Sequence, residues 1–203
     1  MGRGRKSSYI NKLTSKDHGM LRAFANVGYL TPTALKEKLD IADRRVAGYE
    51  RDGYIQKVIY LNKDSKNGEY AYRLTNKGKD LCSNKVGVES FYRSSSVNHD
   101  NALASYYNNI SLKEKESWGT ESQAREQFRE FLEQIKVKDY YKYEEIGQRW
   151  EQGLISPPDG FYTTEQGTIM AIEVVTNSYG QVEIEAKQEF CSLMGMQYNQ
   201  INA

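Results

Sequence analysis

Apolar positions recur at helical spacing from Asp17 onward. Met20, Leu21, Phe24 and Val27 fall on one face, and Gly28 is placed to end that helix. Thr31-Pro32 reads as an N-cap followed by proline at the first helical position, with Leu35 and Leu39 facing inward. A third helix is expected over Asp43 to Arg51. Val46 and Tyr49 point inward there, which leaves Arg44, Arg45, Gly48 and Arg51 on the outer side. Ile55 to Leu61 then switches to a β-branched and aromatic run. The polar stretch Asn62 to Gly68 supplies a turn, and Tyr70 to Leu74 returns as the second strand of a hairpin. Thr75 to Lys79 opens a short helix.

Residues 83–96 break the pattern. Ser83, Asn84, Gly87 and Ser94-Ser95-Ser96 read as a linker. A helix begins at Val97, with His99 near its start and Leu103 facing the core; such a histidine reads as a cap or a packed residue. Ser122 to Lys136 is strongly helical, with Phe128, Phe131, Leu132 and Ile135 on one face. The form of Tyr140 to Trp150 stays open. Phe161-Tyr162 is a short strand, Gln166-Gly167 a turn and Thr168 to Thr176 a central strand. Val182 to Met194 is a helix that buries Ile184, Phe190, Leu193 and Met194. The chain thus reads as α+β: a flexible basic arm (1–16), a small helical and hairpin domain (17–82), the linker (83–96) and a C-terminal α/β domain with a small mixed sheet (97–203).

Charge sharpens that division. Residues 1–90 hold 18 Lys and Arg against 10 Asp and Glu, a net of +8. Residues 91–203 hold 10 against 17, a net of −7. A basic half joined to an acidic half suggests that one module faces a polyanion. Arg3 and Arg5 in the arm, Arg44 and Arg45 on the third helix, and Lys63 and Lys66 at the hairpin tip are the candidate nucleic-acid contacts. A guanidinium can pair bidentately with a guanine edge, and lysines neutralise phosphates. No apolar run reaches membrane-spanning length, and Met1 to Lys6 lacks the apolar stretch of a signal peptide, so neither a membrane span nor a secretory leader is expected. Cys82 and Cys191 are far apart and without metal spacing, so reduced thiols and a cytoplasmic location are expected. With His18 and His99 the only histidines, a histidine-based zinc site is not expected.

The chemistry gathers around Pro157-Pro158-Asp159-Gly160 and Ala171-Ile172-Glu173-Val174-Val175. Glu173 interrupts an apolar run that otherwise reads as a buried strand. A carboxylate there is costly to desolvate unless it is paired or binds a cation. Asp159 and Glu173 on neighbouring strands would make a hard-oxygen site of the kind Mg²⁺ or Mn²⁺ prefers. Glu121, at the start of a helix, reads either as a dipole-stabilising charge or as a third oxygen donor.

Three helices followed by a hairpin is the winged helix-turn-helix order, and Tyr72-Arg73-Leu74-Thr75-Asn76-Lys77-Gly78 resembles the strand-to-helix signature of bacterial winged-helix repressors. Asp159 and Glu173 resemble the PD-(D/E)xK nuclease core. Taken with His99…Leu103, Trp118-x-Thr120-Glu121 and Lys187, the set resembles the plasmid replication-relaxation proteins. That resemblance implies an N-terminal winged helix and a restriction-endonuclease-like C-terminal domain, with Asp159, Glu173 and Glu121 on the metal. The PD-(D/E)xK lysine is absent, because Val175 stands two positions after Glu173. Lys187 on the following helix is placed to replace it. Three functions follow as expectations. The first is a DNA-binding protein of a plasmid or conjugative element, acting in replication, relaxation or transfer, with duplex DNA and a relaxosome as partners and a homodimer as a possible form. The second is a metal-dependent nuclease on DNA or RNA. The third is an anti-CRISPR antagonist acting on guide RNA or its effector.

Overall fold

Thr14 and Asp17 close the N-terminus of α1 (Ser15–Val27) with reciprocal side-chain-to-backbone bonds. These satisfy amides that helix geometry leaves open. Met20, Leu21, Phe24 and Val27 are buried on its inward face, and Gly28 ends it at φ 81°. A side chain at Gly28 would also collide with Asp100, since a Cβ there would lie 2.5 Å from Asp100 Oδ2. The computed structural model describes residues 9–63, 65–94, 96–177 and 179–203.

After β1 (Tyr29–Leu30), the helix expected from Thr31-Pro32 is short and closes in a π-helical turn over Ala34–Lys38. The Thr31 hydroxyl accepts the Ala34 N–H at 3.2 Å, and Leu35 is buried. α2 (Asp43–Arg51) has the expected bounds, with Val46 and Tyr49 inside; Gly48, expected outside, is buried. β2 (Ile55–Leu61) and β3 (Gly68–Leu74) form the hairpin, in register from Ile55↔Leu74 to Leu61↔Gly68. β1 adds to β3, giving a three-stranded antiparallel sheet in the order β1-β3-β2.

α3 (Asn76–Val86) is longer than expected. Thr75 caps it, and it ends at Gly87 in the left-handed region. Residues 83–86, expected in a linker, therefore complete a helix. The segment that follows is also fixed. Tyr92 is buried, and its N–H donates to the Ala25 carbonyl of α1 at 2.7 Å. α4 (Val97–Asn109) starts where expected, under a Ser96 cap.

The second half continues with α5 (Leu112–Glu116), β4 (Gly119–Thr120), α6 (Glu121–Lys138) and α7 (Tyr140–Glu151). Then come β5 (Gly160–Thr163), β6 (Ile169–Val175), α8 (Gln181–Leu193) and β7 (Gln197–Asn202). The sheet order is β4-β5-β6-β7. The first two pairs are antiparallel and β6-β7 is parallel, so the sheet is mixed. A parallel pair needs a crossover, and α8 supplies it. Two glycines let β4 and β5 close. The Trp118 ring covers Gly160, where a Cβ would meet it at 2.4 Å, and the Phe161 ring covers Gly119, where a Cβ would meet it at 2.2 Å.

The fold is α+β with two small sheets. One apolar cluster joins Met20, Leu21 and Phe24 of α1 to Leu103 and Tyr107 of α4 and to Ile172 and Val174 of β6. A second, under α6 and α8, holds Phe128, Phe161, Phe190 and Cys191. The charge reversal between the halves therefore lies over a shared core. Among the described residues no helix is long and apolar enough to cross a membrane, and Cys82 and Cys191 are free and buried.

Candidate active site

Pro157 and Pro158 fix the backbone that delivers Asp159 to the start of β5. The β5-β6 register pairs Gly160 with Ile172, which sets Asp159 beside Glu173. On β6 side chains alternate faces. Ile172 and Val174 turn into the first cluster, and Ala171 turns into the second with Phe190 and Cys191 of α8. Glu173 shares the Ala171 face and meets Lys187 of α8.

The sequence-derived trio comes together. The Asp159 N–H donates to Glu173 Oε2 at 3.1 Å, and the Val174 N–H donates to Asp159 Oδ2 at 2.9 Å. Lys187 Nζ stands 2.9 Å from Glu173 Oε1 and donates to the Pro157 carbonyl at 2.7 Å. The Tyr179 hydroxyl donates to Glu173 Oε1 at 2.8 Å. Glu173 is fully buried and Asp159 is 7% exposed.

His99 was expected as a cap or a packed residue, and it is buried. It also bridges two acids: Nε2 lies 3.2 Å from Asp159 Oδ2, and Nδ1 lies 3.2 Å from Asp100 Oδ1. The Tyr92 hydroxyl donates to Asp159 Oδ1 at 3.3 Å, and Ser94 Oγ donates to Asp100 Oδ2. Tyr92, Asp100 and Tyr179 have no sequence signal of their own. The adjacent His-Asp pair at a helix start was the one available hint of His99's role.

Electrostatics separates the two carboxylates. Burial and the neighbouring Asp159 charge push the Glu173 carboxyl up. Burial pushes Asp159 up as well, but the His99 hydrogen bond and charge, the Lys187 charge and the Val174 N–H outweigh it and hold the carboxyl below its usual range. Burial works against His99 ionising. The hydrogen bonds its ring nitrogens donate to Asp100 and Asp159, and the charges of those acids, overcome it and raise the imidazole to about 9.

A cleft of about 620 Å³ opens over this cluster, lined by His99, Asp159, Lys187, Glu121, Lys63 and Arg93 among others. Glu121 shares the wall, but its carboxylate pairs with Arg125 at 2.6 Å. Among the described residues no three His, Cys, Asp or Glu side chains gather closely enough to hold a metal. The donor chemistry nonetheless fits one cation class. Two adjacent carboxylates, Asp159 in the cleft wall and Glu173 behind it, are hard-oxygen donors of the kind that suits Mg²⁺ or Mn²⁺, which commonly takes one or two protein carboxylates and completes its shell with water and substrate phosphate.

The expected nucleic-acid contacts divide. Arg44 is exposed on α2. Arg45 is not free for DNA: it holds Asp17 at 2.9 and 2.7 Å and donates to the Lys12 carbonyl at 2.6 Å. Asp17 is 1% exposed and needs a counter-charge. Lys63 and Lys66 are exposed at the hairpin turn, and Lys63 reaches the carboxylate cleft. Arg3 and Arg5 lie outside the described residues. No family model matches the chain, nor does any curated protein or solved structure.

Proposed function

We propose that the chain is a nucleic-acid-binding protein with a divalent-metal-dependent phosphodiesterase site. The observation that carries this reading is the convergence of Asp159, Glu173 and Lys187 from separate segments: Asp159 and Lys187 line an open cleft together with Lys63 and Arg93, and Glu173 is buried directly against both. Asp159 and Glu173 would hold Mg²⁺ or Mn²⁺. The bound ion supplies charge neutralisation at the phosphate and lowers the pKa of the attacking water. Lys187 stabilises the charge that develops on the phosphoryl oxygens. Tyr179 and the Asp159 N–H fix the Glu173 carboxylate, while His99 and Tyr92 fix Asp159. The order of α1, α2 and the β2-β3 hairpin supports a winged-helix reading of residues 17–82, with Arg44 toward duplex DNA. With the motif resemblance, it supports a role in plasmid replication, relaxation or transfer.

A second reading has its own observation. All four oxygens of Asp159 and Glu173 already accept protein donors, and His99 and Lys187 offset their charge. A closed network of this kind also suits an inactive scaffold that binds DNA or a protein partner, such as a relaxosome component or a CRISPR effector. One experiment separates the two readings. End-labelled DNA and structured RNA are incubated with protein in Mg²⁺, Mn²⁺ or EDTA, beside Asp159→Asn. Metal-dependent cutting by the wild type and none by the variant supports the phosphodiesterase. If the wild type leaves every substrate intact in both metals, the scaffold reading stands.

A further inference from the structure

A second cleft, of about 550 Å³, lies between β3, the start of α3 and the segment that leads to α4. Arg73, Lys79 and Arg93 line it, and no carboxylate does. All three cations are exposed and without an acidic partner among the described residues. Unpaired cations gathered without an acid repel one another, so the arrangement favours an anion. Arg73 is also held in place. With its amide oxygen turned inward, the cross-strand partner Gln56 would accept from Nε at 2.6 Å and Nη2 at 2.7 Å, leaving Nη1 for an outside acceptor apart from a long 3.5 Å contact to Tyr29. Phe91 adds an aromatic face beside Lys79, whose Nζ lies 5.5 Å from the ring centroid.

The two clefts share a wall. Tyr92 and Arg93 line both, and the Tyr92 hydroxyl reaches Asp159. A strand lying along Arg73, Lys79 and Arg93 would pass over that wall to Asp159, in a cleft that Lys63 also lines. Because Asp159 is largely buried in the cleft wall and Glu173 lies wholly behind it, a phosphate must enter the recess to meet Asp159. A single strand can bend in where a duplex backbone is held rigid. A cationic groove with an aromatic face is also the usual platform for single-stranded nucleic acid.

We propose that the Arg73–Lys79–Arg93 cleft binds the backbone of a single-stranded nucleic-acid segment and threads it past Tyr92 into the carboxylate cleft. The inference rests on the phosphodiesterase reading only for where the strand leads.

The test measures binding of a fluorescein-labelled oligothymidylate of about 20 nucleotides by anisotropy in EDTA, over a salt series. The proteins are the wild type, Arg73→Ala/Lys79→Ala, Lys79→Glu and Lys138→Ala. Both cleft variants alter exposed side chains, and a thermal melt checks their folding. The double variant is expected to bind roughly tenfold more weakly, with the slope of log K against log salt smaller by about 1.4, the value for two lost phosphate contacts on a single strand. Lys79→Glu is expected to weaken binding as well, and Lys138→Ala, an exposed lysine at the end of α6, to leave it unchanged. Unchanged affinity and slope in both cleft variants, or a loss confined to a duplex probe, would overturn the proposal. The readout needs no metal and no cleavage. Weakened cleft variants with a wild type that cuts nothing uphold the groove and sink the phosphodiesterase. Cutting by the wild type with unchanged variant binding does the reverse.

Discussion

Lys187 Nζ and Glu173 Oε1 stand 2.9 Å apart in a pair that is nearly dry, with side-chain exposures of 12% and 0%. Removing one member of such a pair typically costs about 3–5 kcal/mol, because the other charge is left buried. Glu173 has an escape, because it can take a proton. Its folded pKa lies above the ordinary 4.5, so its ionised form costs stability, and that cost vanishes as pH falls below the folded value. Lys187→Met should therefore destabilise the chain strongly at pH 8 and weakly at pH 5, and Lys187→Met/Glu173→Gln should recover most of the loss. Urea titrations at the two pH values check this; equal losses at both would refute it.

His99 gives the opposite protonation logic in the same cluster. Its folded pKa is raised from 6.5 to about 9, so its contribution is fully present below pH 6.5 and is lost as pH rises through about 9. The shift corresponds to stability on the order of 3 kcal/mol. His99→Gln should flatten the fall in stability of the wild type across that window. A pH series of melts on both proteins is the measurement, and parallel curves would dismiss the assignment.

Arg45 should behave as a structural residue. Arg45→Ala strands the buried Asp17 carboxylate, and a loss of about 2 kcal/mol or more is expected. Arg44→Ala, on the exposed side of the same helix, should change stability by no more than about 0.5 kcal/mol. Denaturant midpoints of the two variants decide the matter, and a stable Arg45→Ala protein would restore that residue to the surface.

The strand junction makes a steric prediction. Gly160→Ala drives a methyl group into the buried Trp118 ring, and Gly119→Ala drives one into Phe161. Each should cost about 1–3 kcal/mol of overpacking. In a Trp118→Leu background Gly160→Ala should cost less than it does in the wild type. Additive losses in calorimetry would show that the ring is not the obstacle.

Local pattern carried most of the elements. α1, α2, the hairpin, α4, α6, β6 and α8 follow from periodicity and end signals that lie within each segment. Asp159 and Glu173 were legible together because a carboxylate in an apolar strand demands a partner, and Lys187 was reached through the resemblance to the PD-(D/E)xK core, whose usual lysine position is Val175 here. What escaped depends on distant contacts. β7 reads as a polar tail, Gln197-Tyr198-Asn199-Gln200-Ile201-Asn202, and becomes a strand because β6 offers it a parallel edge. Residues 83–96 look like a linker by composition, yet the Ala25 carbonyl and the packing of Tyr92 fix them from outside. The use of Arg45 was hidden because Asp17, its partner, lies 28 positions away.

Tyr92 also decides how far the carboxylate cluster can be transplanted. Its N–H belongs to α1 and its hydroxyl to Asp159, while Ser94 two residues on serves Asp100 behind His99. A fragment cut at Val97 would keep every acid, the histidine and the lysine, yet it would lose two of the donors that aim them. It would also bare the α4 face that packs on α1. The chemistry is written in the C-terminal half, but its alignment is on loan from the N-terminal one, so the smallest portable unit of this site is the whole pair.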